Sequence, residues 1–332
     1  MLRQQARFAL KTKGLLLTFL LSGWLNSAAA EGEIMPPKTM KQPHQMTIHG
    51  DTRTDDYYWM RDDNRKDQKI IDYLTAENKY TEQMLKPGEQ LRDTLYEEMV
   101  SRMKQDDQSV PYTYNGYIYR TVYEAGKDFP IYQRKPVDGS ADWQVLVDGN
   151  ERAKGQEYYQ LSNLTISLDN KRIAIAEDTQ GRRNYQISFK DIADNQWSND
   201  VIKNTSGNIV WANDSNTLFY VRKHSQTLLP YQVFRHQYGT NTTEDQKIYQ
   251  EEDERFYLGI AKSSSRDYIM LSIVSNSTSE YLLIDANKPQ AELQVLSPRQ
   301  EGREYYIDHF RDYFYIRSNH ESETYGFIKL MP

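Results

Sequence analysis

The apolar period changes twice along the chain, and each change marks a different kind of structure. An apolar run, Leu15-Leu16-Leu17-Thr18-Phe19-Leu20-Leu21, comes first. From Ile70 onward the apolar positions fall at helical spacing: Ile70, Ile71 and Leu74, with Asn78 on the same face and Met84 and Leu85 closing the segment. Pro87-Gly88 breaks this pattern, and a second helix is predicted from about Glu89, with Leu91, Leu95, Met99 and Met103 at four-residue steps. Neither helix carries an apolar stripe wide enough to stand alone, so each needs a surface to lie on. Between the leader and these helices, Pro36-Pro37 and Pro43 predict an extended arm, followed by the aromatic and acidic cluster from Asp55 to Asp63. After Val110 the period becomes two and stays there.

The period-two region also repeats a phrase, a turn of Asn, Asp or Ser followed by a strand. It reads Asn115-Gly116-Tyr117-Ile118-Tyr119, then Asp169-Asn170-Lys171-Arg172-Ile173, Asp214-Ser215-Asn216-Thr217-Leu218, Ser265-Arg266-Asp267-Tyr268-Ile269 and Arg311-Asp312-Tyr313-Phe314. Aligned on Ile118, Ile173, Leu218, Ile269 and Phe314, the steps are 55, 45, 51 and 45 residues. A Tyr opens the next strand 11 to 14 residues later, at Tyr132, Tyr185, Tyr231, Tyr281 and Tyr325. A fourth strand closes most units, as in Trp143–Val147 and Glu292–Leu296. Four short antiparallel strands repeated about every 45 residues predict propeller blades; a generic sandwich spaces its strands similarly but has no reason to repeat one phrase. The prediction is a mostly β protein: an incomplete β-propeller of about five four-stranded units over 105–332, preceded by an extended arm and helices over 31–104. The fifth unit stops after a third strand at Phe327–Leu330, an edge that a closed ring would pair.

Charge turns the leader into an address. Arg3, Arg7, Lys11 and Lys13 precede the apolar run without an acidic residue, and Ala28-Ala29-Ala30 supplies the small side chains of a cleavage site. The run is shorter than the roughly 20 residues needed to span a bilayer. Residues 1–30 are therefore expected to be a cleaved signal peptide, with Glu31 first in a secreted, periplasmic product and no membrane anchor left after cleavage. Losing the leader's four basic residues moves the formal charge from −6 to −10, which argues against nucleic acid as a partner. With no Cys in the sequence, disulfides and thiolate metal sites are excluded.

The segment His49-Gly50-Asp51-x-Arg53-x-Asp55-x-Tyr57-x-Trp59-Met60-Arg61-Asp62 resembles the amino-terminal signature of the prolyl oligopeptidase family of serine peptidases, and of oligopeptidase B (protease II) within it. The Val110-Pro111-Tyr112 entry and the blade phrases fit the same resemblance, which covers Pro36 to Pro332. It implies a seven-bladed propeller capping an α/β-hydrolase domain that follows in sequence, with the amino-terminal arm packed on that domain. It implies an endopeptidase that cleaves short peptides after Lys or Arg, with the propeller as a size filter. The family's nucleophile sits in a Gly-x-Ser-x-Gly turn, and none of the 16 glycines here is followed two residues later by Ser. No catalytic, cofactor or metal residue is therefore assigned, and this chain by itself is expected to be inactive.

His44 and His49 lie near Asp51, Asp55 and Asp56, but extended spacing does not make them converge on a metal. His224, His236, His309 and His320 read as ordinary polar or half-buried strand positions, and Glu251-Glu252-Asp253-Glu254 as a solvated loop between blades. The sequons at Asn163, Asn204, Asn213, Asn241 and Asn276 read as chance in turn-rich sequence. Two functional classes stay open. One is the substrate-gating front portion of a peptidase, whose partners are the absent carboxy-terminal hydrolase domain, if encoded separately, and short basic peptides. The other is a stand-alone exported propeller that binds a peptide or protein. A fragment or a broken gene is the third expectation.

Overall fold

The hairpin at the start of the structure was not legible in the sequence. The computed structural model describes residues 34–320 and 324–331, so the expected signal peptide lies outside the described residues. Where an extended arm was expected to run on, β1 (His44–Ile48) pairs with β2 (Asp51–Asp55) around His49-Gly50. Both turn residues are left-handed, with φ 56° and 80°, the backbone that a two-residue turn between right-twisted strands requires. The strands are polar and largely exposed, so no apolar alternation announces them. Helix α1 (Gln68–Leu85) starts at Asp67, whose carboxylate accepts from the Lys69 N–H at 2.9 Å. The Lys86–Gly88 break is a single 3-10 turn, and α2 (Glu89–Ser101) follows it directly. The thin apolar stripes leave only Ile70 buried on α1 and nothing buried on α2; Leu74, Leu91, Leu95 and Met99 are exposed.

The chain divides into two compact units between Glu98 and Met99. The second unit is the propeller, with five blades among the described residues. In the first, β3 (Asp107–Gln108) and β4 (Tyr112–Tyr114) share one edge of β5 (Tyr117–Tyr123), followed by β6 (Ile131–Pro136) and β7 (Gln144–Asp148). The short helix α3 (Gly149–Ala153) leads to β8 (Gln160–Ile166), β9 (Arg172–Asp178), β10 (Tyr185–Asp191) and β11 (Trp197–Trp211). Next come β12 (Thr217–Lys223), β13 (Pro230–Gln237) and β14 (Gln246–Gln250). The fourth blade is β15 (Tyr257–Lys262), β16 (Tyr268–Val274), β17 (Ser279–Asp285) and β18 (Gln294–Ser297). The fifth is β19 (Tyr305–Phe310), β20 (Tyr313–Ser318) and β21 (Gly326–Leu330). Each sheet is a meander of antiparallel neighbours.

The second and third blades are not separate sheets. They form one seven-stranded sheet because β11 serves both. Its first half pairs with β10, from Lys190↔Trp197 to Tyr185↔Thr205, and its second half pairs with β12, from Thr205↔Arg222 to Trp211↔Leu218. Gly207 sits at the change of partner with φ 85°, and a Cβ there would lie 2.9 Å from the Tyr185 ring.

Apolar residues bury where one blade faces the next, so the core is divided into slices. Leu146 and Val147 of the first blade meet Ile173 and Ile175 of the second. Ile187 and Phe189 meet Leu218 and Tyr220. Phe219, Val221 and Val233 meet Leu258, Ile269 and Leu271. Leu283 meets Tyr305 and Phe314. Because both faces of a middle blade are covered, β9 and β12 are buried along most of their length, and period-two alternation fades there.

Candidate functional site

The repeated turn-strand phrase is the joint between blades. All five turns carry a left-handed residue: Asn115 (φ 47°), Asn170 (61°), Ser215 (58°), Arg266 (69°) and Arg311 (55°). That conformation is open mainly to Gly and Asn, and Ser or Arg adopts it where surrounding contacts hold it. The turns hold one another in sequence. The Asn115 side-chain amide donates to the Leu168 carbonyl at 2.7 Å, and the Asn170 amide returns to the Asn115 carbonyl at 3.2 Å. The Asp169 N–H donates to Ser215 Oγ at 2.9 Å, and the Arg172 guanidinium donates to the Ser215 carbonyl. The Asn213 amide donates to the Arg266 carbonyl at 3.0 Å. The Ser265 N–H donates to the His309 carbonyl at 2.8 Å.

Beside these joints the leading strands of four successive blades converge on a cavity of 230 Å³. Tyr114 of β4, Asn163 to Ile166 of β8, Ile209 to Trp211 of β11 and Lys262 of β15 line it. The Lys262 ammonium donates to the Trp211 carbonyl at 2.8 Å. Burial pushes its pKa down to about 8; the Arg266 charge adds to this and Asp214 opposes it. Lys190 repeats the device two blades earlier, donating to the Leu146 carbonyl at 2.7 Å, with its pKa lowered mainly by burial.

The histidines and acidic residues that the sequence offers as candidates lie apart in the structure. His44 stacks on Tyr58 at 4.1 Å between ring centres, and His49 is in the hairpin turn. Among the described residues, no group of three His, Asp or Glu is gathered for a metal. His224 accepts from the Gln226 and Thr227 N–H groups, closing a turn. The expectation of half-buried histidines fails at His236 and His309, which are 0% and 3% exposed. His236 Nδ1 meets Asp245 Oδ1 at 2.6 Å and Nε2 meets Asp200 Oδ2 at 3.0 Å, with both carboxylates buried. Burial alone would push its pKa down, but hydrogen bonds and charge from Asp200 and Asp245 override that and raise it to about 9. A charged pin between the second and third blades is the result, with Phe189 of β10 stacked on the ring. No local sequence feature links Asp200, His236 and Asp245, because three different segments supply them.

The solvated-loop expectation for Glu251-Glu252-Asp253-Glu254 also fails at its first member. Glu251 is buried and accepts from the Arg299 guanidinium at 2.6 Å and the Tyr249 hydroxyl at 2.9 Å; Arg299 donates to Glu280 as well. The run thus begins as a clamp between the third and fourth blades and only then turns outward. Of the sequon asparagines, Asn213 holds the Arg266 turn and Asn241 caps a short 3-10 helix.

The family model of the prolyl oligopeptidase N-terminal β-propeller domain matches residues 37–331. A dipeptidyl aminopeptidase BI from Pseudoxanthomonas mexicana is 38% identical over 95% of this chain and 46% of its own length. Protease 2 from Moraxella lacunata is 30% identical over 88% of this chain and 43% of its own. The structure of oligopeptidase B from Leishmania major superposes with a TM-score of 0.84 at 30% identity, covering 90% of this chain and 44% of that one. The chain thus spans about half the length of the curated relatives it matches.

Proposed function

Since this chain belongs to the prolyl oligopeptidase family through its N-terminal β-propeller, we propose that it is the substrate-gating portion of a serine peptidase acting on short peptides. The match over residues 37–331, carried on a propeller whose leading strands surround a cavity, is the observation that supports this reading. In it the propeller admits peptides by size, and the nucleophile is supplied outside residues 1–332, which contain no Gly-x-Ser-x-Gly turn. Cleavage after Lys or Arg belongs to the same proposal. The 38% identity to a protein named dipeptidyl aminopeptidase favours a second reading, in which dipeptides are released from the amino end.

The test is hydrolysis of chromogenic amides, one a blocked peptide ending in Arg and one a free-amino dipeptide. Residues 1–332 are expected to turn over neither, and adding the hydrolase portion is expected to restore turnover of one. Activity that co-purifies with residues 1–332 and is stopped by a serine-directed inhibitor would refute the placement of the nucleophile. Export by the 1–30 leader is part of the proposal, and sequencing of periplasmic product that begins at Met1 would contradict it.

A further inference from the structure

We propose that the cavity lined by Lys262, with Arg266 beside it, is a carboxylate-binding subsite that takes the C-terminal residue of a peptide. Three observations carry it. First, the cations are not neutralised by the fold. Among the described residues, Lys262 donates only to the Trp211 carbonyl and has no carboxylate within ion-pair distance. The Arg266 guanidinium lies over the Tyr114 ring, 4.6 Å from its centre, and among the described residues no acceptor is paired with it.

Second, the nearby carboxylate is spent elsewhere. Asp214 accepts from the Asn216 N–H at 3.0 Å, the Thr217 N–H at 2.8 Å and the Thr217 hydroxyl at 2.6 Å, which ties it into its own turn. Two cations close enough to perturb each other, in a chain of net charge −6, leave a site that an anion completes.

Third, aliphatic side chains share the lining with Asn163 and Thr165, and the space is small. Leu164, Ile166, Ile209 and Val210 stand beside the cations, and 230 Å³ is below the roughly 300–1,000 Å³ of an ordinary small-molecule pocket. A ligand with one apolar side chain and a terminal carboxylate matches that combination, and a bulky polyanion does not. Arg266 stacked on Tyr114 also ties the fourth blade to the first, so an occupant would touch both.

This inference deepens the proposed function and rests on it only for the peptide as source of the carboxylate. The experiment is isothermal titration of the full chain at pH 7 with acetyl-Ala-Leu, the same peptide as its C-terminal amide, sodium acetate and inorganic phosphate. The acid is expected to bind, with the amide at least about ten-fold weaker because a charge-assisted hydrogen bond is lost. Lys262→Met is expected to erase the difference between acid and amide, and Arg266→Lys to keep most of it. Equal binding of acid and amide by the unmodified chain, or no binding of either at millimolar concentration, overturns the proposal without any variant having to fold. Phosphate binding as tightly as the acid overturns the carboxylate assignment. Acetate binding as tightly as the dipeptide supports the subsite and assigns it to free acids, so the peptide reading can fail while the site stands.

Discussion

Asn115 and Asn170, 55 residues apart, hold each other's turns: the Asn170 amide donates to the Asn115 carbonyl while the Asn115 amide reaches the Leu168 carbonyl beside Asn170. Both residues are left-handed, so each does two jobs that only Asn combines, tolerating positive φ and offering an amide across the joint. Asn170→Ala is therefore expected to cost about 1–3 kcal/mol in urea unfolding, from the lost hydrogen bond and the backbone penalty together. Asn170→Gly is expected to recover the backbone part only. Equal losses for Ala and Gly would show that conformation plays no part.

Gly207 gives a sharper case, because φ 85° and crowding coincide there. Gly207→Ala would place a Cβ 2.9 Å from the Tyr185 ring and 3.1 Å from Ser162 Oγ, in the strand shared by two blades. A loss of about 2–4 kcal/mol is expected. Gly239→Ala, with φ 85° and open space around it, is the control and is expected to lose about 1 kcal/mol, the backbone share alone.

His236 makes stability depend on alkaline pH. Its folded-state pKa, about 9, lies above the ordinary 6.5, so the stability from the protonated ring is complete below about pH 6.5 and is lost as pH rises through about 9. Asp200 and Asp245 face the two ring nitrogens, the Tyr220 hydroxyl donates to Asp245, and Arg222 donates to Tyr220. The contribution is on the order of 3 kcal/mol. Urea midpoints are expected to fall between pH 6.5 and 9.5, and His236→Asn to remove that component of the slope while lowering stability throughout.

The Arg299 clamp joins two blades through Glu251 and Glu280, whose side chains are 7% and 12% exposed. Arg299→Met leaves two largely buried carboxylates facing each other and is expected to cost about 2–4 kcal/mol, below the full cost of breaking a deeply buried pair because Arg299 is itself partly exposed. Replacing Glu251 and Glu280 by Gln in the same chain is expected to return part of the loss. A triple variant no more stable than Arg299→Met would show that carboxylate repulsion is not the cause.

The sequence by itself determined the blades, because each is a local meander whose turns and strands follow one another within about 45 residues. The turns at Asn115, Asn170, Ser215, Arg266 and Arg311 stand where the repeated phrase places them. The break at Pro87-Gly88 is likewise local, since proline and glycine act on their own backbone. The β1–β2 hairpin escaped because its strands are polar and no buried face imposes a period. Only the tertiary structure decided what passes between blades: β11 serving two of them, Asp200 and Asp245 enclosing His236, and Glu251 turned inward to Arg299. Those partners are 9 to 48 residues apart, so a charged residue written like a solvated one becomes buried when a neighbouring strand brings its counter-charge. The cavity beside Lys262 is of the same kind, since four blades each supply part of its wall and no single segment encodes it.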